Sequence, residues 1–156
     1  MPAVGCFAGA EVEVRRFLGF YILTATLGFI AFAVATHLWA ECSPLVKTLI
    51  YVAASGGLGA TTYAIRGYYQ AHINDEFDLK YTWWYIFRPL LGVVVGVVSY
   101  FLLVGGLLSL SRDSEIDYGR SRMLYVGIAY LAGFSFTQFT NKLVDVAKTF
   151  FTKRAD

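Results

Sequence analysis

The sequence predicts an all-α membrane protein: four transmembrane helices in an up-down-up-down bundle, with both termini in the cytoplasm. Three observations lead there. The 156 residues are 57% hydrophobic and 17% aromatic but only 15% charged, where an ordinary soluble domain carries roughly 25% charged residues. Four stretches, at about 17–40, 45–65, 89–110 and 123–140, approach the ~20 apolar residues that cross a hydrocarbon core, and His37 and Lys47 are the only ionisable Asp, Glu, Lys, Arg or His within them. Basic residues are asymmetric across these stretches: Arg15, Arg16, Arg66, Lys80, Arg88, Lys142, Lys148, Lys153 and Arg154 fall on one side, against Lys47, Arg112, Arg120 and Arg122 on the other. Cytoplasmic loops carry the excess of Lys and Arg, so the richer side, with both termini, is placed inside.

The first stretch follows the pair Arg15–Arg16, and "AVA" at 33–35 has the form of a signal-cleavage site. The run stays hydrophobic beyond that point, in "GFIAFAVATHLWA", which predicts an uncleaved helix closed by Trp39 at headgroup level. The second stretch contains "SGGLGATT". Gly56 and Ala60 have the small-xxx-small spacing that lets helix backbones approach in lipid, and Gly92 with Gly96 gives the third stretch a matching strip. The alternative role for this segment is a polar path through Ser55, Gly57 and Thr61, aided by the kink that adjacent glycines permit.

Residues 66–88 form a cytoplasmic connection that prolongs the second helix before turning, with Asp75, Glu76 and Asp78 facing water. Trp83, Trp84 and Tyr85 mark the inner membrane border, and Pro89 is expected in the first turn of the third helix, where its missing N–H costs nothing. Arg66 and Arg88 would then share that border, snorkelling to lipid phosphates or forming a cationic ring at the inner mouth of a pore.

From the fourth stretch onward, "GFSFTQFTNKLVDVAKTFFTKRAD" places Ser135, Gln138, Lys142, Asp145 and Thr149 on one helical stripe. Phe136, Phe139, Leu143, Val146, Phe150 and Phe151 occupy the other arc. The pattern predicts an amphipathic helix that begins in the membrane and continues as a C-terminal segment at 141–152. At membrane depth Ser135 and Gln138 need partners or water, because an unsatisfied polar group in hydrocarbon costs several kcal/mol.

These features exclude several classes. No basic run exceeds two residues, so nucleic acid is not expected as a partner. No grouping of nucleophile, base and orienting residue is present, and no phosphate-binding glycine loop precedes a strand, so neither an enzyme nor a cofactor is expected. His37 with Glu41, and His72 with Asp75 and Glu76, give too few ligands for a metal site, and the two histidines fall at opposite borders. Cys6 and Cys42 also fall on opposite sides, which excludes a disulfide within one chain.

The segments "GGLGATTYAIRGYY", "WWYIFRPLLG" and "YLAGFSFTQFTNKL" resemble small bacterial four-helix integral membrane proteins of unknown function. Those proteins combine a Gly-rich second span, an aromatic-aromatic-x-x-Arg-Pro run and an Ala-Gly-Phe-Ser strip. The resemblance implies a bacterial inner-membrane location and the four-span fold, and no activity. It also implies a charged residue after Ala-Gly-Phe-Ser, where this chain has Phe136.

A bundle this small has no room for a wide internal pathway, so conduction must run between copies. The sequence therefore points to a homo-oligomeric ion channel or pore. Its lining candidates are Ser135, Gln138 and Asn141 of the fourth helix, or Ser55, Gly57 and Thr61 of the second. The competing expectation is a non-conducting accessory or scaffold subunit that binds a protein partner through the C-terminal helix and the acidic loop. Membrane lipids are expected partners in either case.

Overall fold

The computed structural model describes residues 4–39, 41, 43–73, 81–105 and 118–152. They form five helices: α1 (Val4–Trp39), α2 (Pro44–Ile73), α3 (Thr82–Val104), α4 (Tyr118–Phe134) and α5 (Phe136–Thr152). No strand occurs among the described residues. Cys42, Lys80, the acidic residues Asp75, Glu76 and Asp78, and the C-terminal Lys153 and Arg154 lie outside them.

The elements depart from the expected boundaries in three places. Helix α1 begins well before residue 17, because "EVEVRR" continues the same helical backbone. In the 66–88 connection α2 runs on to Ile73, the expected prolongation of the second helix, but α3 already starts at Thr82 instead of at Pro89. Pro89 consequently lies about two turns inside α3 rather than in its first turn. A proline there removes one backbone hydrogen bond and crowds the carbonyls of the preceding turn. The carbonyl left without its helical donor is that of Tyr85; at the next residue the Tyr21 hydroxyl of α1 donates to the Ile86 carbonyl at 3.1 Å. At its other end α3 closes on Gly105, whose N–H donates to Phe101 O at 2.8 Å.

The third departure is at Ser135, where the amphipathic helix expected to continue from the fourth stretch is interrupted and α5 begins. The chain stays coupled through the break, since Ser135 N–H donates to Leu131 O at 2.8 Å and Phe139 N–H to Ser135 O at 2.9 Å.

Helix α2 is the hub, packing against α1, α3 and α4, while α5 makes little contact with the rest of the chain. Contacts give the directions. Arg15 meets His72 and His37 meets Tyr51, so α1 and α2 are antiparallel. Val52 faces Gly96 while Ala60 faces Gly92, so α2 and α3 are antiparallel as well. Ser55 meets Val126 and Tyr63 meets Phe134, which makes α2 and α4 parallel.

Two small apolar clusters flank a glycine crossing. Leu18, Ile22, Ala64 and Tyr85 join α1, α2 and α3; Val52, Tyr100 and Ala129 join α2, α3 and α4. Between them a Cβ on Gly56 would lie 2.8 Å from Gly96 Cα and against the Gly92 carbonyl. Gly133 of α4 closes on the Gly56 carbonyl, and Gly59 on the Tyr130 carbonyl. The absence of side chains here lets three backbones touch, which is how helices associate when no hydrophobic drive separates them from lipid.

Much of the outward surface of α1, α3 and α4 is apolar. Phe17, Phe20, Leu27 and Leu38 of α1, Leu90 and Phe101 of α3 and Met123 and Leu131 of α4 are all exposed. Among the described residues, two helical segments are long and apolar enough to cross a membrane, Glu13–Leu38 and Thr82–Val104, and Arg122–Phe134 is a shorter apolar helix. This is compatible with a membrane location.

Candidate functional site

The interruption at Ser135 leaves a groove of about 750 Å³ along the α4–α5 junction. Leu102 of α3 and Ile128, Leu131 and Ala132 of α4 form one wall; Phe139, Leu143 and Val146 of α5 supply further apolar lining. Ser135, Gln138, Asn141, Lys142 and Asp145 border the same space. The three expected fourth-helix lining candidates are thus brought together, since helical spacing keeps them on one side of the α4–α5 unit. Gln138 and Asn141 are exposed and Ser135 is half-buried.

The second-helix candidates are placed differently. Ser55 is 7% exposed and donates its hydroxyl to Val126 O of α4 at 2.7 Å. Thr61 is fully buried and donates to Leu58 O within its own helix. Gly57 faces the Phe29 ring of α1, which a Cβ would meet at 2.6 Å. All three are enclosed between helices of one chain.

Arg66 is exposed near the end of α2. Arg88 is not: it is 3% exposed, and its guanidinium carbon lies over three rings, 4.4 Å from the centroid of Tyr63 (α2), 4.8 Å from Trp84 (α3) and 5.2 Å from Phe136 (α5). Tyr63 and Trp84 hold each other edge to face, with centroids 6.1 Å apart, and Tyr63 packs likewise on Phe134. The planar guanidinium suits such a cage, because its weakly hydrated face stacks on aromatic rings. Its Nε has no hydrogen-bond partner.

Of the cage rings, Tyr63 carries no expectation from the sequence, while Trp84 is expected at the membrane border and Phe136 on the apolar arc of the last helix. Tyr63, Trp84 and Phe136 come together only through tertiary packing, and no local pattern announces them. Gly133 does have a signal, since Ala129 and Gly133 repeat the small-xxx-small spacing. His37 is exposed, its Nδ1 3.2 Å from the Tyr51 hydroxyl, and His72 Nδ1 accepts from Arg15 Nη1 at 3.2 Å. Among the described residues no group of three or more His, Cys, Asp or Glu could hold a metal ion.

No protein-family model, curated protein or solved structure matches the chain. The functional reading therefore rests on the geometry.

Proposed function

We propose that the protein is a pore-forming bundle of a bacterial inner membrane, in which copies associate so that the α4–α5 stripe of each faces a shared axis. The observation that carries this reading is the contrast between two sets of polar groups. Ser55 and Thr61 are satisfied inside one chain, whereas Gln138 and Asn141 remain exposed on the groove beside Ser135 and Lys142. Polar groups bordering hydrocarbon need water or another chain, and a ring of copies supplies both. On this reading α2 and α4 cross the membrane with α1 and α3, both termini are cytoplasmic, and the protein performs no enzymatic reaction. The exposed apolar side chains of α1, α3 and α4 then face lipid.

Reconstitution into planar bilayers tests it. A single-channel current that Gln138→Leu alters, while the variant's unfolding midpoint stays within error of the native one, supports a pore. Absence of current across varied salts and voltages overturns it.

A second reading has its own observation: the groove is lined mainly by apolar side chains and α5 touches little of the bundle. Such a surface suits a non-conducting scaffold that takes up an apolar helix of a protein partner. Deleting residues 143–156 would then abolish partner capture.

A further inference from the structure

We infer that Arg88 and Phe136 form a clamp that fixes the angle of α5, making Arg88 a positioning residue for the groove. The inference rests on the packing of one chain and stands whether or not the protein conducts.

Helix α5 has little else to hold it. Its contact with α4 is slight, and the α4–α5 groove separates much of the remaining length. Immediately after the break at Ser135, however, Phe136 places its ring over the Arg88 guanidinium. That guanidinium is itself fixed by Tyr63 and Trp84 on helices of the bundle. The first residue of the loosely held helix is thus tied to a rigid three-helix junction.

The cage holds a charge at a cost. Arg88 is almost fully buried, its Nε is unpaired, and among the described residues no carboxylate forms an ion pair with it. Ring quadrupoles replace only part of the hydration that the cation loses. Swinging Phe136 away would open one side of the cage and return water to Arg88. Ser135 is where α4 ends and α5 begins, so a change in the angle of α5 turns about that point.

The test is a distance measurement by pulsed electron paramagnetic resonance on protein in lipid nanodiscs, with Cys6 and Cys42 replaced by serine. Spin labels at Val144→Cys and Leu90→Cys, both exposed positions, report α5 against α3. A second pair, Ile65→Cys with Leu90→Cys, reports α2 against α3. The clamp predicts one narrow α5–α3 distribution in the parent. Phe136→Ala and Arg88→Met should each widen it without changing the α2–α3 distribution, whereas Phe136→Tyr, which keeps a ring, should preserve it. If Phe136→Ala disturbs the α2–α3 pair as well, Phe136→Leu is read in its place. An α5–α3 distribution that stays narrow in the ringless variants overturns the clamp. One that stays narrow in Arg88→Met shows that the rings pack without the cation and overturns it equally. Because no current is measured, failure of the clamp and failure of the pore remain distinct results.

Discussion

Gly56 has no space for even one methyl group, because Gly92, Gly96 and Gly133 approach it from two neighbouring helices. The atoms in the way are mostly backbone, which cannot turn aside as a long side chain can. Gly56→Ala is therefore expected to destabilise the bundle by about 1–3 kcal/mol, the range for overpacking. Gly28 and Gly127 are the controls, since a Cβ on either meets nothing within 4 Å. Alanine there should be neutral or gain up to about 1 kcal/mol from helix propensity. Unfolding in mixed micelles compares all three. Ser55 belongs to the same scale: Ser55→Ala removes its bond to Val126 O, at roughly 0.6 kcal/mol, the average for interhelical bonds measured in a membrane protein. If Ser55 serves packing alone, that variant leaves any conductance unchanged. Tyr21→Phe removes the hydrogen bond from α1 to the Ile86 carbonyl of α3 and should cost about 1 kcal/mol.

The elements show why some of this architecture can be read from sequence and some cannot. Long apolar runs dictate helices because their backbone groups must be satisfied within the segment, and the four-residue spacing of Gly56 with Ala60 and Gly92 with Gly96 records a close approach directly. Helix α2, which carries glycines, a serine and threonines buried against other helices, is less apolar than α1 or α3 and is not among the segments apolar enough to cross a membrane. Pro89 misleads for a different reason. Proline signals a first turn because its missing N–H costs nothing there, yet α3 already begins at Thr82, about two turns earlier, so Pro89 sits inside it. At Ser135 itself neither Gly nor Pro marks the interruption, and the next residue, Phe136, packs on Arg88, a contact no local pattern announces. Helix α5 follows as an appendage. Deleting residues 143–156 should shift the unfolding midpoint of the remaining bundle little, because the lost segment makes few contacts with it; a large shift would mean that α5 is part of the core.

At the scale of the whole molecule, the question is what covers the groove at the α4–α5 junction. Lipid suits the exposed Phe17, Phe20, Leu27 and Leu90, but it cannot satisfy Gln138, Asn141 or the charge of Lys142. If copies of the chain close around that side, each places one Lys142 and one Asp145 along a shared axis, and ion preference depends on which charge stands nearer the narrowest point. Rings of side-chain charge set selectivity because attraction strengthens where the surrounding medium excludes water. Lys142→Glu changes each copy by two units of charge and should move the reversal potential in a salt gradient toward the cation equilibrium value. Asp145→Asn, which removes one negative charge per copy, should move it the opposite way. The α4–α5 stripe as lining requires these opposed shifts. Equal reversal potentials in parent and both variants would place the conduction path elsewhere, even if current flows.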